Sequence, residues 1–283
     1  SGKDASSYTG SDTSSLTPFI DSTFDYAFGD TSAGDRIIDG QYATSTTYVW
    51  TTMNGDATMF GVNFVDGRIK GYPKNFGATP KTFYVRCVTG NTNYGTNDFT
   101  DNGDATVSDA ATGLMWQQND TSSTDWDDAV STCENATTTS YTDWRLPNAK
   151  ELQSIIDYTK SPDSSSSAAI DTTYFNTTTF TNEEGVTEYG YYWASTTHVD
   201  NDDDGTNATY LSFGRALGYF DAGSGLEILD VHGAGAQRSN DKLDVANEAG
   251  ASSATGSTGT FYYHGPQGDI LRLNNMVRCV RNI

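Results

Sequence analysis

The sequence contains one short acidic run whose spacing suits a metal ion. Asp200, Asp202 and Asp204 alternate with other residues and are followed by Gly205, the D-x-D-x-D-G spacing that places carboxylates around a hard cation. A full EF-hand would require glutamate at the twelfth position, which is Leu211, so the run is not an EF-hand. Two interpretations stay open: a calcium loop completed by remote ligands, or a solvated acidic hairpin tip. Calcium is the one cofactor that the sequence predicts.

All three histidines lie in the second half of the chain and could form a pocket. If their side chains converged, they would make a metal or acid/base site. The alternative is that they bond backbone groups in a long glycine-rich loop, and no H-x-x-H or H-E-x-x-H spacing supports a metal. The predicted pocket consists of His198, His232, His264, Arg238 and Asp269, with Asp230 nearby in sequence.

Two of the three cysteines predict a disulfide. Cys133 and Cys279 lie far apart in the chain, and a bond between them would contribute on the order of 4–5 kcal/mol in the chain-entropy model. The alternative is two buried thiols. Cys87 is then unpaired, which is unusual in an exported protein.

Two segments predict helices, and most of the remainder predicts short strands. Thr124 and Asp125 cap residues 126–133, whose apolar side chains recur at helical spacing. Asn148 and Glu151 form a capping box ahead of a second helix. Short β-rich runs between Gly, Asn and Asp fill the rest. The predicted fold class is α+β, with two helices packed on a curled antiparallel sheet and many loops.

The chain repeats part of its own sequence. Residues 83–88 and 275–281 share the sequence Val-Arg-Cys-Val, and earlier blocks recur in the same order in both copies. The predicted domains are the C-terminal half of a first copy at residues 1–90 and a complete second copy at residues 91–283, with an insertion at about 220–264. Since Cys87 corresponds to Cys279, its partner is expected in the front half that the first copy lacks.

The charge and composition favour an exported protein. The formal charge is −21 and the isoelectric point is near 4.2, whereas nucleic acid and anionic membranes require Lys and Arg to neutralise phosphates. No apolar run of bilayer length occurs, so no membrane span is predicted. Few lysines and many Thr, Tyr, Gly and Asn residues are typical of secreted or surface proteins.

Four blocks of residues, in a fixed order, carry a family resemblance. They are residues 101–117, 143–152, 192–197 and 277–281. Together they resemble the DUF1566 family, also known as the C-terminal domain type of the Legionella collagen-like adhesin (Lcl). Residues 98–283 match the whole family pattern, whereas residues 16–90 match only its second half. It implies a C-type-lectin-like fold, related in outline to formylglycine-generating enzymes, in an exported bacterial protein that is extracellular or on the cell surface.

These observations predict a non-catalytic extracellular binding or adhesion module, in which a lectin-like scaffold presents loops to a protein or glycan ligand. The alternative is a structural subunit of an extracellular filament or surface assembly. A more remote alternative is an oxidase of the formylglycine-generating type, which works through a cysteine pair and copper. Cys133 and Cys279, the candidate pair, are better explained as a disulfide.

The incomplete first copy predicts an uncovered apolar patch. Residues 48–50, 59–64 and 83–85 are rich in apolar side chains and would lack the cover that the front half provides in the second copy. We expect the patch to be covered by an upstream segment of the same polypeptide held to Cys87, or by a neighbouring subunit through self-assembly.

Overall fold

The chain folds mainly into short strands joined by turns. A computed structural model describes residues 2–200, 204–246, 248 and 250–283. Strands account for 37% of the residues and helices for 10%, so the fold is mostly β.

The strands are short except for the first two. In the described residues they are, in chain order, β1 (Gln41–Thr52), β2 (Asp56–Asn63), β3 (Ile69–Pro73), β4 (Asn75–Phe76), β5 (Thr79–Pro80), β6 (Phe99–Asp101), β7 (Thr106–Asp109), β8 (Leu114–Gln117), β9 (Thr121–Thr124), β10 (Thr179–Thr181), β11 (Thr187–Tyr189), β12 (Tyr191–Thr197), β13 (Asn207–Ser212), β14 (Leu217–Asp221), β15 (Leu226–Asp230), β16 (Gln237–Asp241), β17 (Ser252–Gly256), β18 (Gly259–His264), β19 (Asp269–Leu271), β20 (Asn275–Val277) and β21 (Val280–Asn282).

The described α-helices lie between β9 and β10, where one of the 3-10 turns also lies. They are α1 (Trp126–Glu134), α2 (Ala149–Ser154) and α3 (Pro162–Ser165), and the 3-10 turns are Thr13–Ser15, Thr31–Ala33 and Thr138–Ser140. Asp125 caps α1, and the side chains of Asn148 and Glu151 form the predicted capping box on α2.

One sheet of eight strands runs through both parts of the chain. Its order is β1-β2-β3-β16-β13-β12-β20-β9. Residues 1–90 supply β1, β2 and β3, and the later part supplies the other five strands. The two parts meet where β3 pairs antiparallel with β16, with Ile69 opposite Gln237. The sheet is therefore continuous across the predicted domain boundary.

The remaining strands form smaller sheets beside this one. A five-stranded sheet with the order β15-β14-β19-β18-β17 contains most of the predicted insertion. A four-stranded sheet with the order β21-β8-β7-β6 joins the C-terminal strand to the strands that precede α1. Hairpins β10-β11 and β4-β5 complete the strand pairing within the described residues.

The fold class predicted from the sequence is wrong. It was α+β, with two helices on a curled sheet and a C-type-lectin-like outline, whereas the fold is mostly β with several sheets. Both predicted helices begin where expected but are short, since α1 ends at Glu134 and α2 at Ser154. The nine residues of α1 span only about 14 Å at 1.5 Å per residue, too little to form a layer over eight strands. The predicted glycine-rich loop of the insertion instead forms paired strands.

The main apolar core is shared by both parts of the chain. Tyr48 of β1 and Phe60 of β2 are buried in one cluster with Trp116, Leu152 and Phe213 of the later part. The part of the predicted apolar patch formed by Tyr48 and Phe60 is therefore covered by the same chain. Residues 1–90 are stabilised by packing against the later strands and helices.

A disulfide joins Cys133 of α1 to Cys279, the pair predicted from the sequence. Their Cα atoms are 5.4 Å apart. The bond lies inside a second apolar cluster that contains Trp144 and Trp193, so it fixes the C-terminal strands to α1 within the core. None of the described helices combines the length and apolarity that crossing a bilayer requires.

Candidate functional site

A buried ion pair lies near the junction of β3 and β16. Arg68, just before β3, donates to both carboxylate oxygens of Asp4 at 2.9 and 2.7 Å, and also to the Ser239 hydroxyl of β16 at 3.1 Å. Asp4 and Arg68 are both almost fully buried. Because the planar guanidinium matches a carboxylate through two parallel hydrogen bonds, this pair holds the N-terminal segment against the sheet.

His198 completes this first cluster. Its Nε2 lies 2.9 Å from the carbonyl oxygen of Asp66, and its Nδ1 lies 2.8 Å from the Ser239 hydroxyl. Since a carbonyl can only accept, Nε2 carries the hydrogen and Nδ1 accepts from the serine. Burial, followed by the charge of Arg68, lowers the pKa of His198 to about 4 against the opposing effect of Asp4. His198 is therefore a neutral hydrogen-bonding residue at neutral pH.

Asp269 is the centre of a second buried cluster. Its Oδ1 lies 2.9 Å from Nε2 of His232 and 2.8 Å from Nη1 of Arg238, and its Oδ2 lies 3.5 Å from Nζ of Lys70. Burial alone would raise the pKa of Asp269, but Arg238 and Lys70 hold it well below the ordinary value. Burial lowers the pKa of His232 to about 4. The cluster is thus an ionised carboxylate with two cations and a neutral imidazole.

The surroundings of this second cluster are aromatic and acidic. Arg238 Nε donates to the Tyr210 hydroxyl at 2.6 Å, and its guanidinium lies 5.4 Å from the centre of that ring. His264 Nδ1 lies 3.2 Å from Oε1 of Glu248. Burial lowers the pKa of His264 to about 4 and raises that of Glu248 to about 7.

The structure gathers the residues of the predicted pocket but divides them between clusters. Asp269 contacts both His232 and Arg238, whereas His198 and His264 pair with other residues. In the described part of the chain, no three His, Cys, Asp or Glu side chains are grouped so that they could hold a metal ion. The buried arrangement fastens the two parts of the chain together.

Sequence reasoning missed the residues that the N-terminal part brings to this junction. Arg68 and Lys70 reach it because β3 pairs with β16, and Asp4 reaches it through a parallel bridge with Asp200. Arg68 carried a weak signal, since it lies in a block that recurs later in the chain, but Asp4 lies in a Ser-rich segment without any pattern.

The acidic run forms a local turn where the structure describes it. The Asp204 amide donates to Oδ1 of Asp200 at 2.7 Å, and Asp204 accepts from the Thr206 amide. Asp202 lies outside the described residues. Calcium binding by Asp200, Asp202 and Asp204 therefore stays a prediction.

A different surface is exposed at the outer edge of β1. Tyr84 forms a parallel bridge with Tyr42 on this edge, and beyond it the chain leaves the sheet. Val85 is 69% exposed and Val88 is 93% exposed. Cys87 between them is exposed and has no disulfide partner among the described residues. We call residues 85–88 the outer edge.

A groove of about 440 Å³ runs beside the outer edge. Residues 25–27 form one wall, and residues 84–87 with Tyr42 form the other. Arg86 crosses one end, where its guanidinium lies 5.2 Å from the Phe24 ring. The groove and the outer edge together form a surface of exposed apolar side chains and unpaired backbone.

The pKa of His198 predicts a specific pH dependence. Between the folded value of about 4 and the ordinary value of 6.5, the unfolded chain binds a proton that the folded chain does not. The contribution of neutral His198 to the free energy of unfolding is therefore fully present above pH 6.5. It is lost as the pH falls toward 4, at up to about 1.4 kcal/mol per pH unit. We expect the His198→Gln variant to lack it, as measured by urea unfolding at several pH values.

The difference between the two stability curves isolates His198, because the contributions of His232 and His264, whose pKa values burial also lowers, and of Glu248, whose pKa burial raises, are present in both proteins and cancel. A difference curve that is flat between pH 4 and 6.5 would mean that His198 is protonated equally in both states.

Residues 105–226 match the family model described as the Lcl C-terminal domain. The match covers part of the predicted second copy, so the arrangement of two tandem copies stays a prediction. No curated protein and no solved structure matches the chain.

Proposed function

We propose that the chain is an exported, non-catalytic module that binds another protein through its outer edge. The proposal takes as its premise that residues 105–226 belong to the Lcl C-terminal domain family. The observation that carries the proposal is the exposure of Val85 and Val88 beside a groove, on backbone that pairs with no strand of the described residues. Open strand edges with apolar side chains recruit further strands, because the backbone offers hydrogen bonds and the side chains offer apolar area.

Two further observations support the exported and non-catalytic parts of the proposal. Disulfides such as Cys133–Cys279 persist mainly in oxidising compartments outside the cytosol. The same bond occupies the cysteine pair that an oxidase of the formylglycine-generating type would use. The buried histidines His198 and His232 are neutral hydrogen-bonding partners beside the ion pairs at the junction of β3 and β16.

Binding is expected to fail when charge is placed on the outer edge. In the Val85→Asp, Val88→Asp double variant, docking would bury unpaired carboxylates at a cost of at least about 3 kcal/mol, which weakens the dissociation constant about 150-fold. The assay is retention of fluorescently labelled protein on the surface of the cells that produce it and on an array of extracellular proteins and glycans.

The matched control is Leu243→Asp, because Leu243 is 70% exposed, much like Val85, but lies elsewhere on the surface. The control should bind like the parent protein, and all three should keep the same melting temperature. Equal retention of the parent and the double variant would rule out the outer edge as the binding surface.

A second candidate function is that of a subunit in an extracellular filament. It is favoured because the two ends of the eight-stranded sheet present different surfaces. β9 is the last strand at the end opposite to β1 in the described sheet. A polar groove of about 540 Å³ lies there between Thr121–Thr124 and α1. Head-to-tail contact between two different surfaces produces open fibres. Ordered multimers in sedimentation experiments on the purified chain would favour the filament, and a monomer that still binds surfaces would favour the adhesive module.

A further inference from the structure

We infer that the outer edge receives a strand–helix unit that carries a cysteine, supplied by polypeptide outside residues 1–283, and that this cysteine forms a disulfide with Cys87. The inference rests on the proposed function and specifies the partner of the same surface. Its basis is the way in which the later part of the chain covers its own copy of this edge.

The large sheet has the same local arrangement on both sides of the β3–β16 junction. On one side of the junction β3, β2 and β1 lie side by side in that order, and on the other side β16, β13 and β12 do so. Tyr84 forms a parallel bridge on the outer side of β1, and Met276 forms a parallel bridge on the outer side of β12. Tyr84 and Met276 hold the same position relative to the shared Val-Arg-Cys-Val sequence.

Beyond Met276, the chain is covered by a strand–helix unit. Val277 of β20 lies opposite Thr121 of β9, and Val280 of β21 lies opposite Trp116 of β8. α1 then contributes Cys133 to the disulfide with Cys279. Residues 114–134 thus supply two strands and a cysteine-bearing helix to this edge.

The arginine of the shared sequence is part of the same cover. Arg278 is fully buried and donates to the carbonyl oxygens of Gln117, Gln118 and Asn176 at 2.6 to 3.0 Å. Its counterpart Arg86 is exposed and lies on Phe24. The same residue type is therefore buried against backbone carbonyls in one copy and lies at the surface in the other.

The two valines show the same contrast. Val277 and Val280 are fully buried, whereas their counterparts Val85 and Val88 are 69% and 93% exposed. Cys279 is fully buried and bonded, whereas Cys87 is exposed. Identical sequence with opposite exposure indicates that the outer edge is built to pair with a unit like residues 114–134.

The partner cysteine must come from outside these 283 residues. The sequence contains three cysteines, and Cys133 and Cys279 are bonded to each other. A second copy of the chain could offer only its own Cys87, which lies on the same uncovered edge and has no helix beside it. A symmetric pair would therefore leave both edges without the cover that α1 and β9 provide for Cys279.

The bond forms by thiol–disulfide exchange with a small-molecule or protein disulfide as oxidant. The Cys87 and partner thiols lose two protons and two electrons and form one S–S bond. The oxidant's S–S bond breaks and yields two thiols. Docking of the strand first would bring the two sulfur atoms together and favour this pairing.

The test is disulfide mapping of the full protein as its producing cells make it. Free thiols are blocked at the moment of cell disruption, and non-reduced peptides are sequenced by mass spectrometry. We expect the Cys87 peptide to be linked to a peptide from outside residues 1–283. The region that contains this second peptide should carry a short apolar strand followed by a helix that bears the cysteine. In a Cys87→Ser variant, the partner cysteine should instead be recovered as a blocked free thiol.

Four results would overturn the inference: a free Cys87 thiol, a Cys87–Cys87 bond, a bond to a small thiol, or a bond to a region without the strand–helix pattern. If one of these results appeared while the Val85→Asp, Val88→Asp variant still lost binding, the partner assignment would fail and the proposed function would stand. If binding were also unaffected by that variant, both would fail.

Discussion

Replacing Cys133 and Cys279 together with alanine is expected to lower the free energy of unfolding by about 5 kcal/mol. The disulfide spans 146 residues, and a loop of that length restricts the unfolded chain by about this amount in the chain-entropy model. Both sulfur atoms lie inside the cluster of Trp144 and Trp193, so the substitutions also remove some apolar packing. Urea unfolding without reductant measures the difference.

Cys87→Ser provides the matched control for this experiment. Cys87 is exposed and unbonded among the described residues, so in the purified 283-residue chain its replacement should change the stability by no more than about 0.5 kcal/mol. A double alanine variant as stable as the parent would contradict the structure. Free thiols at both positions in freshly isolated protein would do the same and would favour the oxidase alternative.

Removing the charge of Asp4 is expected to cost about 3 kcal/mol or more, because the Asp4→Asn variant would leave the guanidinium of Arg68 buried without its main partner. Burial raises the pKa of Asp4, but Arg68 and His198 outweigh this effect and lower it from 3.8 to about 2. The stabilisation is thus present above pH 3.8 and is lost as the pH falls through 2. Urea unfolding at neutral pH measures the loss.

The control for this variant is Asp12→Asn, because Asp12 is an exposed residue of the same N-terminal segment. Limited proteolysis adds a local measure, since the Asp4→Asn variant should be cleaved near its N-terminus sooner than the parent or the control. Unchanged stability and cleavage would mean that the N-terminal segment is not held by Arg68.

Local sequence signals predicted several elements of the structure correctly. The capping box at Asn148 and Glu151 begins a helix because two side chains of adjacent sequence satisfy each other's backbone groups. Trp116, Trp144 and Trp193, whose large apolar side chains favour burial, are core residues. These features depend on residues a few positions apart or on strong apolar character, both of which a sequence displays directly.

Non-local pairing could not be predicted in the same way. The contact of Ile69 with Gln237 joins strands that are far apart in the chain, and no local pattern in either strand specifies the other. This junction brings Arg68 and Lys70 to the histidines, and a parallel bridge with Asp200 adds Asp4, so the composition of the buried clusters depends on these two non-local pairings. The fold class failed for a related reason, because the insertion forms strands that pair with one another across turns.

The most direct test of the docking surface is hydrogen exchange at the backbone amides of residues 85–88. The purified chain is compared with the protein isolated intact, with its thiols blocked, from the cells that make it. We predict rapid exchange in the purified chain, where the outer edge is exposed, and slow exchange in the intact protein, where a partner strand accepts hydrogen bonds from these amides. Equally rapid exchange in both samples would contradict the proposal that this edge binds a partner.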